Sequence, residues 1–479
     1  MYLDEGGLVM KNGTNFPIDP GDMHALKRWL AQHEDQSMLR QVGIEEILIG
    51  TDVLFQLPLV LQRAGIVSGS RVLLVMDKTP MRREERDLKP FVQALLHEAG
   101  YVVTPLWLGG DRYGLVHADF EQVQHVHDAI LPGDALVALG SGTLTDIVKH
   151  AAYLYDQDQQ DRQRNIVFIC CQTANSVTAF AANMAVLLKD GVKRTVPSRY
   201  PTAIIADLRV LASAPRAMTL AGLGDCCARF VAYGDWYLAS ALGMVDFYSE
   251  VPLGLLGNLG TILLEHAAGI EQRSHKAEAV IARALLLAGI AQSIVNMSAP
   301  ISGSEHVISH VLDMIADNQR RPLALHGAQV GVATLSAARL YQHFLDNFDP
   351  QDVDFSGCYP DEEQLQTRIQ RLFASIDPTG AMARECWSDY SKKLALWREN
   401  RLRFEQFCRD WQSVHRPKLS SLVSSPEKVK AILADAGAPL IPQELEPPIS
   451  QEEYDFAVEY GHFIRMRFVL GDLFFFLGW

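Results

Sequence analysis

The sequence predicts an α/β domain with a parallel sheet over residues 1–210, followed by an all-helical domain over residues 211–479. Three observations carry that expectation. Short apolar runs alternate with helix-patterned segments as far as Asp207, and runs of this kind become scarce after about Pro215. Helical spacing then persists towards the end of the chain. A length of 479 residues also exceeds one ordinary core, so two large domains are expected.

Taken in order, Arg71–Asp77 is a short apolar run ending in an acid, the pattern of a strand buried on both faces. Pro90–Gly100 reads as a helix closed by glycine, and Tyr101–Leu106 as the next strand. Phe120–Ile130 is expected to be helix and Ala135–Leu139 strand; Asn165–Cys170 and Thr202–Asp207 are further strands of the same kind. Strands separated by helical crossovers build a parallel sheet covered on both faces. Further on, Ala279–Asn296, Val307–Ile315, Gln329–Phe344 and Leu365–Phe373 carry apolar residues at helical spacing. A proline-rich loop, Ala438–Pro448, precedes a last helix expected over Gln451–Phe476. The mixed-sign run Arg82–Asp87 reads as a solvated surface stretch.

Apolar residues at 48% and charged residues at 21% describe a folded globular chain rather than a disordered one. The net charge of -14 argues against a nucleic-acid partner, which needs clustered Lys and Arg, but leaves room for a local basic pocket. Cys170, Cys171, Cys226, Cys227, Cys358, Cys386 and Cys408 include no Cys-x-x-Cys pair. Free thiols in a reducing cytoplasm are therefore expected, not a disulfide framework or a structural zinc site. Met1–Glu5 lacks the basic start and apolar stretch of a signal peptide. The most lipid-like segment, Val251–Leu264, is broken by Pro252, Gly254, Gly257, Asn258 and Gly260. It is also shorter than the roughly 20 apolar residues of a span, so no membrane insertion is expected.

Chemistry concentrates in two places. His306 and His310 stand four apart, on one face of a helix, and His326 follows in Leu325-His326-Gly327. Asp225 ends Gly222-Leu223-Gly224-Asp225, which reads as a helix start. Two or three histidines with one carboxylate form the ligand set of a divalent transition metal with an open position. Taken singly, Asp225 is equally a capping acid, and the histidines equally ordinary imidazoles of a core or surface. The second place is Leu139-Gly140-Ser141-Gly142-Thr143, a strand end, with Asp146 opening a helix. Glycines there let the backbone approach a pyrophosphate, and a helix N-terminus supplies N–H groups. A tight turn without a ligand has the same look, because the full Gly-x-Gly-x-x-Gly pattern is absent. Asp77, at the end of an earlier strand, either accepts hydrogen bonds from an adenosine ribose or caps a helix.

Several segments together resemble the sn-glycerol-1-phosphate dehydrogenase family, neighbour to glycerol dehydrogenases, iron-type alcohol dehydrogenases and dehydroquinate synthases. They are Pro201–Asp207, Ala221–Asp225 with Gly234–Ala239, Ser302–His310, Leu325–Thr334, and the C-terminal Phe463–Phe468 with Gly471-Asp472-Leu473. The resemblance implies a Rossmann-like nucleotide-binding domain followed by an all-α domain, the dehydroquinate synthase-like fold. It implies that Asp225, His306 and His326 hold one divalent metal, with zinc the first expectation and nickel or iron the alternatives. By the same carry-over, Asp225 and His310 touch the substrate, and Lys193 contacts its phosphate. Gly140, Ser141, Gly142, Thr143 and Asp146 bind the diphosphate of NAD or NADP, joined by Thr173 and Ser176. The chain departs from the family at Thr178, where a substrate-binding acid is usual, and at Ala182 and Ala328. A carboxylate only accepts hydrogen bonds whereas a threonine also donates, so the substrate contacts differ there.

The function expected on this basis is a metal-dependent, NAD(P)-linked oxidoreductase acting on a small polyol or polyol phosphate, as in glycerol phosphate/dihydroxyacetone phosphate interconversion. Cofactor and substrate are expected in the cleft between the two domains. A synthase that returns its NAD oxidised, and a non-catalytic nucleotide-binding descendant, are the alternatives. A cytoplasmic homo-oligomer is expected by analogy.

Overall fold

Apolar runs rich in Val, Ile and Leu become the central strands of one sheet because both of their faces are covered, while the edge strand over Val102–Trp107 stays partly exposed. In the computed structural model, which describes residues 16–33, 39–111, 114–158, 165–189 and 192–479, the strands of this sheet are β1 (Glu46–Gly50), β2 (Arg71–Met76), β3 (Val102–Trp107), β4 (Ala135–Gly140), β5 (Val167–Gln172) and β6 (Ala203–Asp207). The expectation placed on Met1–Glu5 lies outside the described residues. All neighbouring strands run parallel, in the order β1-β6-β5-β4-β2-β3. On one face Val72, Leu74, Met76, Val137, Leu139, Ile169 and Ile205 pack against Leu57, Leu61, Val92 and Leu96 of the covering helices.

Contacts divide the chain into two units, Met1–Gly222 with Val251–Met297, and Leu223–Glu250 with Ser298–Trp479. The first holds the sheet; its helix His275–Ile294, in the second half of the sequence, is buried along almost its whole length. Two stretches, Val251–Glu271 and His275–Ile294, are long and apolar enough to cross a membrane by length and composition, but the second is 100% buried inside the protein. The first breaks at Gly257, where φ is +36°, between the helices Val251–Leu256 and Leu259–Glu271. All seven cysteines are buried and free.

Three expectations need correction. The run Arg82–Asp87 is a small antiparallel hairpin rather than a uniformly solvated stretch. Arg83 within it is buried, paired to Asp52 and 3.6 Å from Asp207, so its charge is compensated rather than hydrated. The final helix is not continuous: Gln451–Tyr460 gives way to a tight turn over Gly461–Ile464, and a new helix starts only at Leu470. Two groups hold that break open, as Asp472 accepts from the Val469 N–H across 2.9 Å and Lys393 binds the intervening carbonyls. Lastly, Asp225 does not open a helix. It lies in the last turn of Arg216–Cys227.

Candidate metal centre and dinucleotide turn

That placement of Asp225 follows from close packing of glycines. A Cβ on Gly224 would stand 2.1 Å from the Gly327 carbonyl oxygen and 3.1 Å from the Gly331 Cα. Only glycine permits the approach, which brings Asp225 beside His326 at the first position of the His326–Asn347 helix. His306 and His310 project from the Ser304–Asn318 helix, as their spacing requires.

Asp225, His306 and His326 each offer a ligand atom, and these atoms all lie within 4.8 Å of one another. His306 Nε2 is 3.5 Å from Asp225 Oδ1. Ligands about 2.1 Å from one tetrahedral ion stand about 3.4 Å apart, so this edge already has ligand spacing. The His310 ring lies 6.2 Å from that of His306 and 5.6 Å from that of His326, at the rim of the cluster.

Neighbouring groups decide which ring nitrogen each histidine presents. A carboxylate at this site only accepts, so the 2.9 Å contact from His306 Nδ1 to Glu305 Oε1 puts the proton on Nδ1 and leaves Nε2 a lone pair. A longer relay does the same for His326. Gln329 donates from Nε2 to Asp313 and to the Ala324 carbonyl, and its Oε1 accepts from Ser309 Oγ. With its proton spent on Gln329, Ser309 Oγ accepts from His326 Nδ1 across 2.9 Å. At His310 the logic inverts. Arg465 Nη2 donates to His310 Nδ1 across 2.7 Å, so that ring is neutral and carries its proton on Nε2.

The electrostatics suit a cation. Burial would depress the His306 imidazole, but the neighbouring carboxylates of Asp225 and Glu305 raise it above the ordinary value. Two buried carboxylates thus favour positive charge at this point, and the donor set of two imidazole Nε2 atoms and a carboxylate suits a divalent transition metal. The residues present fit such an ion. Glu305, Ser309, Gln329 and Asp313 had no assigned role in the sequence, although a glutamate directly before His306 and a serine three residues after it were visible signals.

In the sheet unit, β4 ends at Gly140 and the 17-residue helix Gly142–Asp158 begins immediately. A Cβ on Gly142 would stand 2.2 Å from Val177, and the Thr173 N–H donates to the Gly140 carbonyl across 3.2 Å. Ser141 is half-buried, Thr143 exposed and Ser176 buried. Asp146 is turned away from the helix tip: it pairs with Lys149 at 2.9 Å and accepts from the Val186 N–H. Asp77 follows β2 and accepts from the Thr79 N–H and from Lys89, each across 3.0 Å. Thr178, where the family has an acid, is buried and accepts from Gln292 Nε2 across 3.3 Å. Asn175 ties the same loop to Glu278 across 2.7 Å. Ala182 is buried, and Ala328 lies in the first turn of the His326–Asn347 helix. Lys193 falls in the strand Val192–Pro197, and its side chain lies outside the described residues.

Residues 48–215 match the family model for iron-containing alcohol dehydrogenases. A glycerol-1-phosphate dehydrogenase [NAD(P)+] of Bacillus subtilis (strain 168) is 30% identical over 334 residues, 69% of this chain and 79% of that one. One of Haloquadratum walsbyi is 34% identical over 239 residues, 50% of this chain and 64% of the other. Among solved structures, an alcohol dehydrogenase from Oenococcus oeni superposes with a TM-score of 0.52 at 14% identity, covering 87% of this chain and 92% of its own. That last likeness is one of fold alone. The protein is thus an oxidoreductase with the fold of that alcohol dehydrogenase, a parallel six-stranded sheet domain and a helical region. More narrowly, the chain belongs to the glycerol-1-phosphate dehydrogenase family.

Proposed function

We propose that this protein is a metal-dependent, NAD(P)-linked dehydrogenase that interconverts glycerol 1-phosphate and dihydroxyacetone phosphate. The observation that carries the metal part is the convergence of ligand atoms of Asp225, His306 and His326 within 4.8 Å of one another. Asp225, His306 and His326 would hold the ion, with zinc proposed first and nickel or iron as alternatives. When bound, the ion supplies Lewis-acid stabilisation of charge on the substrate oxygen, and the nicotinamide accepts or returns the hydride.

The remaining work falls to the chain. Glu305 and the Ser309–Gln329 pair hold the two imidazoles in the tautomer that leaves Nε2 available. His310, neutral with its proton on Nε2, orients the substrate by donating to one of its oxygens. At the turn Gly140–Thr143 the start of the helix offers N–H groups and a favourable dipole to the cofactor diphosphate. Thr173, whose N–H bonds to the Gly140 carbonyl, and Ser176 are proposed to join it, and Asp146 steadies the turn from behind through Lys149. Asp77 at the end of β2 is proposed for the ribose, and Lys193 for substrate phosphate. A cytoplasmic location is supported by seven buried free cysteines, and a homo-oligomer by the family analogy.

Metal-loaded protein mixed with glycerol 1-phosphate and NAD or NADP is the test. Net accumulation of reduced nicotinamide is expected. Turnover of substrate with the cofactor returned oxidised would point instead to a synthase.

A further inference from the structure

The C-terminal segment brings two arginines into the helical unit, and they do different work. Arg467 is an anchor: it donates to the Ser302 carbonyl across 2.7 Å and to the hydroxyls of Ser302 and Ser298. Arg465 instead stands over the rim of the metal cluster, with Nη2 on His310 Nδ1.

The backbone that carries Arg465 is clamped on both sides. Lys393, fully buried, donates to the His462 carbonyl across 2.6 Å and to the Arg467 carbonyl across 2.9 Å, and pairs with Asp472 at 2.9 Å. All three ammonium donors are therefore spent on one short stretch of chain. Burying an ammonium is costly unless every donor is bonded, so a lysine committed in this way holds this backbone in place.

A guanidinium is an odd neighbour for a divalent cation, because like charges repel more strongly as water is excluded. It becomes favourable once an anion joins them. The chain as a whole carries a net charge of -14, so an anionic substrate needs a local cation to receive it. The guanidinium fork also matches phosphate oxygens in geometry.

We propose that Arg465 recognises the substrate's phosphate in addition to Lys193, acting with the Nε2–H of His310. The assignment rests on the proposed dehydrogenase reading and adds to it a substrate-binding residue on the helical unit. Positive charge on Arg465 and the proton of His310 face the same anion. Lys393 holds the backbone that carries Arg465.

The test compares wild type with Arg465→Met and Arg465→Lys, each metal-loaded. The readouts are steady-state kinetics on glycerol 1-phosphate and on glycerol, and inhibition by inorganic phosphate. Arg465→Met is expected to raise KM for glycerol 1-phosphate about 10- to 100-fold, weaken phosphate inhibition in parallel, and erode the preference for the phosphorylated polyol. Arg465→Lys, which keeps the charge but loses the fork, is expected to recover part of each effect. A KM and phosphate inhibition constant within about twofold of wild type in Arg465→Met would overturn the assignment. So would loss of kcat at unchanged KM, the mark of a residue acting only through His310. If wild type oxidises no polyol phosphate, direct binding of inorganic phosphate replaces inhibition as the readout. Weaker binding to Arg465→Met then sustains the anion site while the dehydrogenase reading fails, and unchanged binding overturns the site as well.

Discussion

Glu305 Oε1 accepts the Nδ1 proton of His306 across 2.9 Å, and that contact decides which ring nitrogen faces Asp225. Partners of this kind behind a metal-ligating histidine typically contribute about 10- to 100-fold in metal affinity. Glu305→Gln, which keeps an accepting oxygen but removes the charge, should weaken metal binding towards the lower end of that range. Glu305→Ala should approach the upper end. Chelator competition on folded protein measures both, and equal affinity in all three proteins would dismiss the role.

Gly224 tests the packing that delivers Asp225. Its ideal Cβ would lie 2.1 Å from a backbone oxygen, which cannot move as a side chain would. Gly224→Ala should therefore destabilise the protein by about 1–3 kcal/mol and lower metal retention with it. Urea unfolding and elemental analysis read the two effects. Full metal content at wild-type stability would show that the helices can part without consequence.

Behind the turn Gly140–Thr143, Lys149 is wholly buried against Asp146 and also donates to the Ala179 and Met184 carbonyls. Lys149→Met leaves Asp146 buried without its counter-ion, which should cost about 3–5 kcal/mol and weaken NAD(P) binding. The double variant Asp146→Asn with Lys149→Met should regain part of the stability. A single variant as stable as wild type would mean that the pair does not brace the turn.

The core of this fold was legible because parallel strands must be apolar on both faces, so the sequence runs at β2, β4, β5 and β6 stand out. The helix Arg216–Cys227 was less so: glycine inside a helix reads as a turn until its neighbour is known, and Gly224 owes its place to Gly327 and Gly331. The break before Leu470 was hidden for a similar reason, since it depends on Lys393, far away in sequence. In the site, side chains that are themselves ligand types were recognisable. Ser309 and Gln329 were not, because a hydroxyl and an amide gain meaning only from the chain of hydrogen bonds they complete.

Asp235 supplies a pH signature. Burial, reinforced by the nearby charge of Glu305, pushes its carboxyl up to about 7, although Tyr341 and the Ser304 and Leu470 N–H groups all donate to it. In the unfolded chain the same acid titrates at its ordinary value of about 3.9. The folded state therefore binds the extra proton between these values. Its contribution to stability is complete below the unfolded value and is lost as pH rises to about 7. The slope from one such proton is about 1.4 kcal/mol per pH unit. Asp235→Asn should remove that slope, whatever its absolute stability, in urea titrations at pH 5, 6 and 7 (roughly the window where one proton separates the states). Parallel slopes in the two proteins would contradict the assignment.

Metal stoichiometry tests the central claim most directly. Purified wild type, Asp225→Ala, His306→Ala and His326→Ala would be analysed for bound transition metal, with His266→Ala, outside the cluster, as the control. One ion per chain is expected in wild type and in the control, with loss from each of the other three. An undiminished ion in any of those three variants would contradict the convergence of Asp225, His306 and His326 on a single cation.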